Sequence, residues 1–193
     1  MIGTPRRRIM AHALAVLALA LCVSAAAPQR VDVAGDAKGE GITVKASADV
    51  QADPRTVLSV ITDYDHLARF VPYMRSSRVV QRDGPRVIVE QAGELDFLFF
   101  RQPVVVTLSV VESSPGRVMA RAIGGNIKEM EGLYVVERLP SGYTRLSYSG
   151  RVVPDFAVPP VIGKIALRSV MERQFDAMVS EILTRENDKV RAP

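Results

Sequence analysis

The chain has 193 residues, with 25 Lys and Arg against 21 Asp and Glu, a formal net charge of +4, one cysteine, two histidines and no tryptophan. Most of the positive excess sits at the start: without Arg6, Arg7 and Arg8, 22 basic groups face 21 acids, which removes the main support for a nucleic-acid partner. Cys22 and His12 lie in the same opening stretch, so the remainder excludes thiol catalysis and most zinc chemistry.

Residues 1–26 carry the pattern of a secretory signal peptide. Three arginines precede an apolar run from Ile9 to Val23, and Ser24, Ala25 and Ala26 supply small residues for cleavage, expected after Ala26. The run is shorter than the ~20 residues that span a bilayer. Leu21 stands where lipoprotein acylation at Cys22 wants a small residue, so lipid anchoring is not the expectation. A cysteine-free remainder suits an oxidising compartment. About 166 residues then remain, enough for one domain with a substantial core.

Residues 27–41 are polar and glycine-rich and read as a flexible lead-in. The domain is expected over 42–187, with a short tail at 188–193. Ile42 to Val50 alternates apolar and polar residues as a strand does. Asp53-Pro54 starts a helix, with Val57, Val60, Ile61 and Tyr64 at helical spacing. Asp65 is expected to cap a second short helix that ends by Pro72. Six strands follow, over 75–82, 86–97, 103–112, 117–123, 127–139 and 143–153. Turn residues such as Asp83-Gly84-Pro85 and Pro140-Ser141-Gly142 make hairpins of them. A long amphipathic helix closes the chain over about 161–186, with Leu167, Met171, Phe175, Met178 and Ile182 as its stripe and Ile162, Ile165, Ala166 and Val170 widening its first half.

This order predicts an α+β fold: a seven-stranded antiparallel sheet, two short helices after the first strand, and one long C-terminal helix. Strand twist curls such a sheet, and the helix must lay its apolar stripe on the concave side. A curled sheet gripping one helix leaves an elongated apolar chamber, the usual kind of small-molecule site.

The order and several phrases resemble the START-like (SRPBCC) superfamily, which includes polyketide cyclases, lipid-transfer domains and coenzyme Q-binding proteins. The phrases are Ala52-Asp53-Pro54, Thr62-Asp63-Tyr64-Asp65, Phe70-Val71-Pro72, Gly132-Leu133-Tyr134, Thr144-Arg145-Leu146-Ser147-Tyr148 and Val153-Pro154-Asp155-Phe156-Ala157-Val158-Pro159. Together they extend from about Val44 to Leu183. A tryptophan is common where Tyr134 stands. The resemblance implies a helix-grip fold, a hydrophobic ligand such as a lipid or isoprenoid quinone, and, by family habit, the periplasm as the compartment.

For chemistry, the densest polar cluster is Asp63-Tyr64-Asp65-His66. His66 could be a base oriented by a carboxylate, although a helix-capping turn is the favoured reading. Glu129 and Glu131 share a strand face by period two, and alternation places Ile127, Leu133 and Val135 with them. No nucleophile elbow, phosphate loop or dinucleotide fingerprint occurs. No cofactor or metal is expected.

The residues expected to bind ligand are therefore aromatic, methionine and apolar. Phe70 and Tyr73 belong to an apolar loop that the resemblance puts at the chamber mouth, as a lid or a transient membrane contact. Phe97, Phe99, Met119, Met130, Tyr134, Tyr148, Ile165 and Met171 are expected to supply the wall, since methionine adapts to irregular apolar ligands. Arg121 meets a polar headgroup if it points inward, and alternation leaves its side open. The expected function is non-enzymatic binding, transfer or sequestration of a hydrophobic small molecule. A cyclase- or hydrolase-like enzyme and an envelope protein-interaction module are the alternatives.

Overall fold

The computed structural model describes residues 30–35, 41–97, 100–156 and 162–191, so the expected signal peptide lies outside the described residues. The strand expected from alternation, Ile42–Val50, forms with Ile42, Val44, Ala46, Ala48 and Val50 all buried. It is β2 rather than β1, because Arg30–Gly35 forms a strand ahead of it. Its polarity predicts a flexible lead-in, but the segment pairs antiparallel with β2 from Arg30↔Ser47 to Gly35↔Ile42. Val31 and Val33 give it a strand's period, which the flanking glycines and charges conceal in a composition reading.

Helix α1 (Pro54–Ile61) starts as its sequence dictates. Asp53 Oδ1 accepts from the Arg55 amide at 2.8 Å, and Pro54 occupies the first turn. A 3-10 helix follows over Tyr64–Arg69. Asp65 does not cap it. The Asp65 side chain stands one residue inside the turn, where Oδ1 accepts from the Val79 amide at 2.7 Å and ties the helix to the next strand. The capping position belongs to Asp63, whose carboxylate is held by His66 and Arg185 at 2.7 and 2.8 Å.

Six strands come next: β3 (Met74–Asp83), β4 (Arg86–Phe97), β5 (Phe100–Ser113), β6 (Arg117–Gly125), β7 (Ile127–Arg138) and β8 (Thr144–Pro154). Helix α2 (Ile162–Arg191) ends the described chain. The sheet runs β1-β2-β8-β7-β6-β5-β4-β3. The meander β3 to β8 is consecutive, and β2 closes against β8 through nine residue pairs from Ile42↔Val152 to Val50↔Thr144. The seven strands β2–β8 are the expected helix-grip sheet, and β1 is an added edge.

The two halves of α2 differ, and this difference positions the site. In the C-terminal half, Val179 and Ile182 are fully buried, and polar contacts fasten the helix to α1. The buried Thr56 hydroxyl donates to the Glu186 carboxylate and accepts from Lys189 Nζ at 2.8 Å. Arg185 Nη2 donates to Asp63 Oδ2 at 2.8 Å. In the N-terminal half, Leu167 and Met171 of the expected stripe are half-buried and line a cavity beneath the helix.

Candidate ligand-binding cavity

A cavity of about 310 Å³ lies between the N-terminal half of α2 and the concave face of the sheet. That is the small end of the ~300–1,000 Å³ typical of small-molecule sites. Its floor follows strand alternation: Val118 and Ala120 on β6, Gly132 and Tyr134 on β7, Tyr148 and Val152 on β8. The roof is α2, through residues such as Leu167, Met171 and Phe175. Nearly every wall residue is apolar, so an occupant gains chiefly by leaving water, at about 25 cal/mol per Å² before association costs.

Of the residues expected to bind ligand, Tyr73, Met130, Tyr134, Tyr148 and Met171 are in the cavity wall. Phe70 is not. It is half-buried against the core, with the Arg185 guanidinium 5.8 Å above its ring. Ile165 is 67% exposed and turns away. Met119 is 52% exposed, and Arg121 is also on the outer face, where Nη2 meets the Glu131 carboxylate at 2.5 Å. The inward phase of β6 belongs instead to Val118 and Ala120, because β7 presents Tyr134 and Gly132 opposite them. Phe99 and the Phe97 side chain lie outside the described residues.

The carboxylate pair and the histidine are both away from the cavity. Glu129 and Glu131 are exposed, each paired with an arginine, Arg151 and Arg121 respectively. Ile127 does not share their face as alternation suggested. The β7–β8 register shifts between Ile127 and Glu129, which turns Ile127 into the cavity together with Met130. His66 is 44% exposed and holds Asp63 at the end of the 3-10 helix. Among the described residues, no three His, Cys, Asp or Glu side chains gather as a metal site, and no helix is long and apolar enough to cross a membrane.

Two tyrosines and two glycines give the floor its polar feature. Tyr134 and Tyr148 are direct cross-strand partners, with ring centroids 4.7 Å apart and planes at 42°. Gly132 and Gly150 are partners one step along the same two strands, under the Tyr148 phenol. A Cβ on Gly150 would stand 2.3 Å from the Tyr148 hydroxyl, and one on Gly132 would stand 2.9 Å from it. Glycine is required at both by this close approach. Burial raises both phenols: Tyr148 is pushed up to about 12, and Tyr134 is raised as well by burial and by its neighbour Tyr148. Both therefore remain protonated donors across the biological pH range. Gly132 and Gln174 are wall residues that sequence reasoning did not select, whereas Phe175 and Met178, in the wall too, belong to its aromatic and methionine set. The spacing Gly132-x-Tyr134 opposite Tyr148-x-Gly150 was the available signal.

The loop after the 3-10 helix brings Tyr73 to the cavity wall. Tyr73 has φ 66°, an uncommon conformation for a non-glycine residue. Gly93 allows the contact, since a Cβ there would stand 2.4 Å from the Tyr73 carbonyl oxygen. Helix α2 holds the loop: Gln174 Nε2 donates to the Pro72 carbonyl and Arg173 Nη1 to the Tyr73 hydroxyl, both at 3.0 Å.

Comparisons with known proteins agree with this architecture. The family model described as "Polyketide cyclase / dehydrase and lipid transport" matches residues 41–184. The chain belongs to that family, within the START-like proteins. Among solved structures, the Zhui aromatase/cyclase from a Streptomyces species superposes with a TM-score of 0.63 at 18% identity, covering 79% of this chain and 97% of that one. A START superfamily protein from Mycobacterium smegmatis gives 0.63 at 16%, covering 74% and 97%. A STAR-related lipid transfer protein from Xanthomonas axonopodis gives 0.59 at 11%, covering 79% and 98%. At these identities the likeness defines the fold alone. A search of curated proteins finds no match.

Proposed function

We propose that this protein is an exported, non-enzymatic carrier that binds a hydrophobic small molecule, a lipid or an isoprenoid quinone, in the cavity under α2. The observation that carries the reading is the cavity itself: an apolar-walled space of about 310 Å³ in a family whose description includes lipid transport. Export rests on the opening Arg6-Arg7-Arg8, the apolar run to Val23 and the small residues before Ala27. The periplasm is the compartment that this address and the family's habit favour.

A catalytic reading has one observation in its favour, the inward-facing pair Tyr134 and Tyr148, since the family description also includes cyclase and dehydrase. Their raised pKa values leave them poor proton carriers near neutrality, so binding is favoured. Native mass spectrometry of the protein purified from its own envelope, with analysis of an organic extract, tests the proposal. A stoichiometric apolar adduct is expected. A protein that stays empty after exposure to lipids and quinones overturns it.

A further inference from the structure

The ligand's chemistry can be narrowed from the floor of the cavity, an inference that rests on the carrier reading above. The Tyr148 hydroxyl makes no hydrogen bond to any described residue, although it is enclosed by the sheet, Tyr134 and the two glycines. Tyr134 fares little better: its hydroxyl reaches only the Met178 thioether, at 3.9 Å, a weak acceptor. Buried hydroxyls are normally partnered, and leaving one unpaired is costly. Here two hydroxyls, on rings whose centroids are 4.7 Å apart, are underused in one otherwise apolar chamber. Gly132 and Gly150 make the room that Tyr148 needs to lie there.

The charge on the wall points the same way. Among the described residues, no Lys, Arg or His lines the cavity. Its charged wall residue is Glu94, whose carboxylate is engaged by Arg75 at 2.7 Å and faces Arg101 at 3.8 Å. An ionised carboxylate or phosphate drawn inside would lose its water and meet no cationic wall residue to compensate it. Phenol donors without a strong acceptor suit an uncharged acceptor oxygen, which a carbonyl provides.

We propose that the cavity selects an uncharged apolar molecule carrying a carbonyl-class oxygen, which accepts a hydrogen bond from Tyr148, with Tyr134 as a second donor in the same chamber. Charged single-chain amphiphiles are excluded from the same position.

Three probes of matched length test this: methyl nonyl ketone, undecane and ionised decanoate. They are applied to protein produced from the full chain, and binding is read by equilibrium dialysis with gas-chromatographic quantification at pH 8. Because transfer from water already favours the alkane, the informative quantity is the ketone-to-alkane ratio in wild type and in Tyr148→Phe. Losing one hydrogen bond is expected to lower ketone affinity about tenfold and leave undecane unchanged. Tyr134→Phe is expected to give a smaller loss in the same direction. A Tyr148→Phe protein with an unaltered ratio overturns the assignment, and so does decanoate binding as tightly as the ketone. If none of the probes binds, the carrier reading fails with it. If all bind with ratios insensitive to either tyrosine, the carrier reading stands and the carbonyl inference falls.

Discussion

The Tyr148 hydroxyl and Gly150 are so close that a single methyl group on the glycine would occupy the phenol's place, 2.3 Å from its oxygen. Both residues sit on β8, two apart and on one face, so no rearrangement of neighbouring strands can separate them. Gly150→Ala must therefore swing the ring into the cavity. Overpacking of this kind costs about 1–3 kcal/mol, a fall of several degrees in melting temperature. Ligand occupancy, read by native mass spectrometry, is expected to drop far more than the melt implies. A full adduct in the Ala variant would show that the phenol's position is immaterial to binding.

Met130 offers a harsher test of the same chamber. It lines the floor where the β7 register has shifted, and its thioether is surrounded by apolar wall. Met130→Lys brings an ammonium to that wall, on a stem long enough to reach toward water. Folding should survive, with circular dichroism near wild type. Uptake of an apolar ligand should fall by more than about tenfold, since its burial would strand the charge. Retained uptake would place the ligand elsewhere.

The fold was largely legible in the chain because its signals are local and repeat. Period-two alternation in Ile42–Val50, the Asp53-Pro54 helix start and the hairpin turns each follow from a few neighbouring residues. The site was less legible because it depends on which face of each strand turns inward. Sequence shows that Met119 and Arg121 alternate with Val118 and Ala120. Only the pairing of Val118 with Tyr134 and Ala120 with Gly132 decides that the smaller residues face the cavity. Ile127 failed for a related reason: one register shift inverts the phase of everything before it. Arg30–Gly35 was lost to composition, since its edge-strand character rests on two valines among glycines and charges.

The Asp63 carboxylate joins the 3-10 helix to α2 and gives the fold a defined acid response. Burial alone would raise its pKa, but hydrogen bonds from His66 and Arg185 outweigh that and hold it below the ordinary value. A depressed folded-state pKa contributes stability above the unfolded value of about 3.9, lost as pH falls through the folded value. Asp63→Asn should melt below wild type at pH 7, and the gap should close in the acid range beneath about pH 4. A gap that persists unchanged at pH 2 would mean the side chain acts through shape rather than charge.

His66 separates the binding and catalytic readings. It is half-exposed, bonded to Asp63 and absent from the cavity wall. His66→Ala removes one of two groups on Asp63 and leaves Arg185 in place, so ligand affinity should remain within about twofold of wild type. A large loss of any turnover in this variant would favour the enzyme reading.

Thr144 tests whether stability and binding are separable in this fold. Its side chain is wholly buried at the end of β8 opposite the cavity's glycines, and its hydroxyl donates to the Ala52 carbonyl at 2.6 Å. That bond fastens the β7–β8 hairpin to the corner where β2 enters α1. Thr144→Val keeps the shape and removes the donor, which leaves a buried carbonyl short of a partner at a cost of about 1–3 kcal/mol. Arg138 Nη1 also donates to this carbonyl, at 3.2 Å, so the lower half of that range is expected. Pairing the change with Arg138→Ala should cost more than the sum of the single changes, because the carbonyl then has neither donor. Urea unfolding with an unaltered slope measures these losses. Ligand affinity in Thr144→Val should match wild type, since the residue is outside the cavity wall. A parallel loss of affinity would mean that the hairpin end and the cavity floor move together, through β8.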